Sequence, residues 1–142
     1  MIVLAGRNPA KMETAKAGLD ELGVESCLCK TDIADRAQVQ ALADYAPSLG
    51  DVTQVIHTSG VSPSDTATEN IIKINATGTV NMVETFYPVL AEGGVMINFS
   101  SVAAYTMPQT DEWTQVFEAW NEPDFYDRLL ALIWPKPCPR SL

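Results

Sequence analysis

The sequence predicts an α/β fold, a doubly wound parallel sheet with helices on both faces. Three observations carry it. Four short apolar runs, at 1–5, 24–29, 52–57 and 95–99, end in small or polar residues. The segments between them repeat apolar residues at helical spacing. The last run, Val95 to Phe99, has the composition of a strand buried on both faces. Strands that alternate with helices imply parallel pairing through right-handed crossovers.

The first run ends at Gly6-Arg7. Asn8 then has the character of a helix N-cap, with Pro9 at the first helical position, where its missing N–H costs nothing. Met12, Ala15, Leu19 and Leu22 form the helical stripe and Gly23 closes it. The second run leads into a Thr31-Asp32-Ile33 loop. Val39, Leu42 and Ala46 mark a second helix, stopped at Pro47. After the third run comes the turn-rich Thr58-Ser59-Gly60-Val61-Ser62-Pro63. A long helix is expected from about Asp65 or Thr66 to Ala91, with Ile71, Ile74, Val83, Phe86 and Leu90 inward and Gly93-Gly94 breaking it.

Beyond Ser100 the chain turns acidic and aromatic. Trp113, Phe117 and Trp120 share a helical face, so a short amphipathic segment is expected there. Prolines at 135, 137 and 139 exclude helix, and the end is expected to be irregular. The organisation is one partial domain over 1–132 and a Pro-rich tail over 133–142.

With 142 residues, 46% hydrophobic and 19% charged, the chain has the composition of a globular domain. A net charge of −9 argues against nucleic-acid or anionic-membrane partners, which it would repel. No apolar run reaches the roughly 18 residues of a membrane span, and no basic segment precedes an apolar signal run, so the cytoplasm is the default expectation. Cys27 and Cys29 lie two apart in a strand and so share a face; they read as buried thiols, and no metal site is expected.

A single histidine rules out a site needing several imidazoles. The eight glycines form no Gly-x-Gly-x-x-Gly cradle, and nothing matches a zinc signature or a Gly-x-Ser-x-Gly elbow. Each strand does end in groups able to bind a ligand: Arg7 after the first, Asp32-Ile33 after the second, His57 to Gly60 after the third and Ser100-Ser101 after the fourth. Open α/β sheets bind ligands in the crevice outside the carboxyl ends of their strands. Asn75 inside the long helix is out of place on propensity alone.

Five ordered segments give this pattern a family. "VLAGRNPAKM", "CKTDIAD", "DVTQVIHTSG", "IIKINATGTVNMVE" and "GVMINFSSVAAY" resemble, over residues 1 to 105, the short-chain dehydrogenase/reductase family from its second strand to just past its fifth. The resemblance implies a Rossmann-like nucleotide-binding fold and hydride transfer between NAD(P) and a small carbonyl or alcohol. It places Arg7 beside a 2′-phosphate, which favours NADP over NAD. Asp32 would accept from the adenine amine, with Ile33 packing by the ring. Thr58, Ser59 and Gly60 would run alongside the cofactor ribose. Asn75 would hold a water of the proton relay, its carbonyl freed by a local helix kink. Ser101 would hydrogen-bond the substrate carbonyl as negative charge develops there, with Ser100 structural. Each has a plainer alternative: a solvated Arg7, a turn or cap Asp32, a surface Asn75, and a His57 that only bonds a neighbouring strand.

Two parts of the family pattern are missing from these residues. There is no strand with a Gly-rich turn to hold the pyrophosphate. There is also no Tyr-x-x-x-Lys: Tyr45, Tyr87, Tyr105 and Tyr126 are followed four residues on by Leu49, Ala91, Gln109 and Leu130. The expectation is therefore a truncated member, inactive alone, whose strands at 1–5 and 52–57 each lack a neighbour and leave an apolar edge. Losing a central strand is severe when total stability is only about 5–15 kcal/mol, so stabilisation by assembly is expected. The His57 segment and the Asn-Ala-Thr-Gly-Thr run leave open an epimerase- or dehydratase-like extended member. A non-enzymatic NAD(P)-sensing or dimerising module is the third reading. The resemblance also implies homo-oligomers formed through the helix that carries Asn75.

Overall fold

The computed structural model describes residues 1–106 and 110–133; of the expected tail over 133–142, Ile133 is the last residue of a helix and the rest lies outside the described residues. In chain order the elements are β1 (Ile2–Gly6), α1 (Pro9–Glu21), β2 (Ser26–Lys30), α2 (Arg36–Tyr45), β3 (Val52–His57), α3 (Thr68–Ile71), a π-helical segment (Ile72–Thr77), α4 (Gly78–Phe86), β4 (Leu90–Asn98), α5 (Asp111–Glu118) and α6 (Phe125–Ile133). All strand pairing is parallel and all of it is in two pairs, β1 with β2 and β3 with β4. This is the expected α/β architecture. The two pairs do not hydrogen-bond to each other, so strands β1 and β3 each have a single partner among the described residues.

Local chemistry explains most boundaries. The Asn8 side chain accepts from Lys11 N at 3.1 Å, with Pro9 opening α1. Gly23, at φ +69°, ends that helix, its N–H bonding to Asp20 O. Asp35 caps α2 through Ala37 N and Gln38 N.

Within β1–β2 the register sets Val3 beside Cys27 and Ala5 beside Cys29. Val3 and Cys29 turn toward the main core, so Ile2, Leu4 and Gly6 face the other side, where the Met12 sulfur of α1 packs on Gly6. Both strand pairs supply the same core. Ile33, Val39, Leu42, Ala43, Val55, Ile74, Met82 and Phe86 form it, with Val52, Leu90 and Met96 at its margin. A second cluster joins Ile72 to Val116, Phe125 and Leu129 of α5 and α6.

Four features differ from the sequence reading. The helix expected from about 65 to 91 runs from Thr68 only to Phe86, and Tyr87–Val89 is one 3-10 turn. Strand β4 then begins at Leu90, and Gly93-Gly94 lies within it instead of breaking a helix. Gly93 has φ +76°, and a Cβ on Gly94 would come within 2.9 Å of Ala91 O; the pair forms the bulge that shifts β3–β4 register between Val52 and Gln54. Nor is β4 buried on both faces. Val95, Ile97 and Phe99 are exposed, Phe99 at 66%, because α2 and α4 cover one side and no described element covers the other. Finally, α6 is an element that the sequence reading does not include, although Phe125, Leu129 and Leu132 stand at helical spacing.

Candidate cofactor and active site

Parallel pairing brings strand ends together, and hydrogen bonds continue past them. Thr31 N donates to Gly6 O at 3.0 Å, which sets the β2 loop beside the tip of β1. Phe99 N donates to His57 O at 3.0 Å, which does the same for β3 and β4. A cleft of about 340 Å³ opens where these loops meet, lined by Arg7, Asp32, Ala34, Val61, Asp65, Thr66, Asn70, Lys73 and Ile74. Arg7 and Asp32, expected at one rim from sequence, do share it. Lys73 and Asp65 join them there without having been singled out by any sequence motif.

The Asp32 carboxylate accepts from Ala34 N at 3.0 Å, closing its own turn, while Asp32 N donates to the Gln38 amide oxygen at 2.9 Å. Gln38 also donates to Asp35 at 2.8 Å. That bond above all holds the Asp35 carboxyl below the usual carboxylate range; Lys73 contributes last among the causes. The Asp65 carboxylate is likewise lowered, chiefly by the Ser62 hydroxyl, which donates at 2.6 Å.

Ile33 stands differently from the expectation that it packs by a ligand ring. Its side chain is buried in the core, where a Cβ on Gly78 would come within 2.7 Å of Ile33 Cδ1. Its carbonyl accepts from Asn81 Nδ2 at 2.9 Å. Asn81, buried in α4, is a positioning residue that sequence reasoning passes over; the signal for it is an amide inside an apolar helical run, which needs a partner when buried.

Thr58, Ser59 and Gly60 are exposed in the loop after β3. Asn75 pins the far side of that loop: its Nδ2 donates to Val61 O and its Oδ1 accepts from Val61 N, both at 2.9 Å. A Cβ on Gly60 would meet Asn75 Oδ1 at 3.5 Å, ordinary contact. The expected helix irregularity is present as the π-helical segment around Asn75, and such segments break the i→i−4 ladder. The Asn75 carbonyl accepts from the Thr79 hydroxyl at 2.7 Å.

His57 Nε2 lies 3.3 Å from the same hydroxyl. With the Thr79 proton committed to Asn75 O, His57 must donate, which assigns the Nε2–H tautomer. Its partner is thus the long helix and not a neighbouring strand. Burial holds the imidazole below its ordinary pKa. Ser101 lies at the carboxyl end of β4, where its hydroxyl oxygen accepts from Ala103 N at 3.2 Å and caps a 3-10 turn, Val102–Tyr105. It is exposed, as is Ser100, and neither lines the cleft. Of the expected site residues, Arg7 and Asp32 line the cleft; Thr58, Ser59 and Gly60 are exposed in the loop that Asn75 holds at Val61, Ile33 is buried in the core, and Ser101 lies at the tip of β4.

An α/β chain with polar groups at the carboxyl ends of parallel strands has the layout of the open sheets that bind ligands in that crevice. Comparison with known proteins makes this specific. The family model for short chain dehydrogenase matches residues 1–112. This chain belongs to the short-chain dehydrogenase/reductase family of oxidoreductases. A short-chain dehydrogenase/reductase of Alternaria brassicicola, bsc3, is 28% identical over 108 residues, covering 76% of this chain and 39% of that protein. A family member from Burkholderia phymatum, solved in complex with NAD, superposes with TM-score 0.65 at 23% identity over 92% of this chain and 47% of its own. One from Burkholderia cenocepacia, in complex with NADP, gives TM-score 0.62 at 19% identity over 92% and 54%. The chain thus spans about two fifths of that curated relative and about half of these structures. No helix among the described residues is long and apolar enough to cross a membrane.

Proposed function

We propose that this chain supplies the adenosine end of a nicotinamide-cofactor site, and the hydroxyl that meets the substrate, in a carbonyl/alcohol short-chain oxidoreductase that prefers NADP. The single observation that carries the reading is the cleft shared by Arg7 and Asp32. A guanidinium at the tip of β1 suits a 2′-phosphate, and a carboxylate on the neighbouring β2 loop suits an adenine amine. Solved relatives bind NAD or NADP, which supports a nicotinamide cofactor.

The residues present fit the adenosine portion and the ribose-side loop. The Gly-rich turn that would hold a pyrophosphate is not among the 142 residues. When bound, the cofactor supplies the hydride. Ser101 then donates to the carbonyl oxygen, and Asn75 keeps the Thr58–Val61 loop in place. No Tyr-x-x-x-Lys occurs to deliver the proton, so the chain alone binds without turning over. A cytoplasmic location, a small carbonyl or alcohol as substrate and pairing of copies through the Asn75 helix complete the proposal.

Titration of the chain with NADP and NAD tests this. NADP should bind more tightly, and Arg7→Glu should weaken NADP by about 10- to 100-fold, the scale of a charge-assisted hydrogen bond, while sparing NAD. Equal binding of both cofactors, or indifference to Arg7→Glu, would refute the NADP preference. Hydride transfer by the isolated chain would refute the inactivity.

A further inference from the structure

The cleft holds a second cation whose place the nucleotide reading does not explain. Lys73 lies in the π-helical segment between Ile72 and Ile74. Those two side chains are buried in different clusters, Ile72 against α5 and α6 and Ile74 in the main core. With both neighbours anchored inward, Lys73 is left at the cleft wall, where Arg7 arrives from the β1–α1 loop.

The sequence is poor in cations, nine Lys and Arg against 18 Asp and Glu, and two of the nine in one cleft offset the carboxylates of Asp32 and Asp65 that also line it. The acids lining the cleft take their hydrogen bonds from other donors. Asp32 is engaged with Ala34 N, and Asp65 with Ser62 N, the Ser62 hydroxyl and the Ser64 hydroxyl. The ion pairs among the described residues are Lys16–Asp20 and Arg36–Glu84, so neither Lys73 nor Arg7 has a carboxylate within 4.0 Å among those residues.

We propose that Lys73 is a specificity-determining residue that binds the same adenosine 2′-phosphate as Arg7, from its own wall of the cleft. This rests on the nucleotide reading above and deepens it. Arg7 offers a planar fork of donors, and Lys73 a compact point charge on a flexible stem. Together they can match the two negative charges of a phosphate monoester, which one cation leaves half-compensated. An adenosine lacking the 2′-phosphate gains nothing from Lys73.

The test uses 2′,5′-ADP and 5′-AMP as probes on the full chain, followed by phosphorus NMR titration at low ionic strength. The wild type should prefer the bisphosphate. Lys73→Ala should weaken 2′,5′-ADP by about ten-fold, within the scale of one charge-assisted hydrogen bond, and leave 5′-AMP within about two-fold. Lys73→Arg should restore most of the loss. Circular dichroism of both variants guards against misfolding, and Lys73→Met, which keeps the stem, should behave as Lys73→Ala does. Equal weakening of both probes would mean that Lys73 only shapes the cleft, and no change would mean that it is a solvated surface residue; either overturns the inference and leaves the nucleotide reading standing. If the wild type bound neither probe, both would fall.

Discussion

The two strand pairs share a core but differ on their outer faces. Pair β1–β2 carries α1 on that side, with Met12 packed on Gly6 and Leu19 half-buried. Pair β3–β4 has the more apolar outer face, with Ile56 and Ile97 opposite each other in register and Val95 and Phe99 alongside, yet all four are exposed. A strand's composition records the environment it is built for, whereas its burial records which elements are there to cover it. For β1–β2 the two agree except at Ile2, which is 41% exposed. For β3–β4 they disagree, and a continuous apolar run of the kind found in fully buried parallel strands meets a cover on one face only. The same division runs through the site: the β1–β2 tips supply Arg7 and Asp32 to the cleft, and the β4 tip supplies Ser101 to an exposed surface.

The helix spanning Thr68 to Phe86 contributes to the shared core, and its Gly78 packs against Ile33 of the β2 loop. A side chain there would meet Ile33 Cδ1 and Cγ1 at 2.7 and 2.9 Å and the Ile33 backbone at 3.4 Å. Ile33 is buried and cannot swing aside. Gly78→Val should therefore destabilise by about 2–3 kcal/mol through overpacking, the largest effect expected of a single change here. It should also displace the Asp32 loop, so urea unfolding and 2′,5′-ADP binding should fall together. A variant of wild-type stability would show that the two halves are joined less closely than the contact implies.

Much of this arrangement was legible in the sequence, for local reasons. Asn8-Pro9, Gly23 and Asp35 punctuate helices by chemistry that acts within a few residues, and the strand ends at Arg7, Asp32 and Gly60 are marked by apolar runs meeting polar ones. What the sequence hid was non-local. Gly93-Gly94 reads as a helix breaker, and only pairing with β3 makes it a bulge. Ile33 reads as a ligand contact until Gly78, 45 positions on, receives its side chain. Lys73 reads as an ordinary helix residue until the π segment and the β1 tip are brought to one cleft. The position of Ser101 was legible and its company was not, because periodicity fixes which end of a strand a residue occupies without saying what faces it.

A smaller effect separates the halves by pH. His57 belongs to β3 alone, is 4% exposed, and has its pKa lowered by burial. The folded state therefore resists protonation more than the unfolded chain does. As pH falls through the ordinary value of 6.5 the unfolded state takes up a proton that the native state does not, and stability declines. Above that value the contribution is complete. The urea midpoint of the wild type should drop more steeply between pH 7 and about 5.5 than that of His57→Gln. Parallel slopes would mean that the imidazole is solvated and that β3 is no better buried on its inner face than on its outer one.

The smallest change bears on β1–β2. Gly18 is exposed in the middle of α1, and a Cβ there would meet nothing within 4 Å. Glycine in a helix interior costs about 0.5–1 kcal/mol relative to alanine, mostly through the freedom it has in the unfolded chain. Gly18→Ala should raise stability by that amount, read as a higher urea midpoint at constant slope, and leave ligand binding untouched. The gain appears in global unfolding only if α1 unfolds with the rest of the molecule. If hydrogen exchange shows α1 stabilised while the global midpoint stays put, then the covered half opens on its own, and the cleft between Arg7 and Lys73 is the boundary along which it does so.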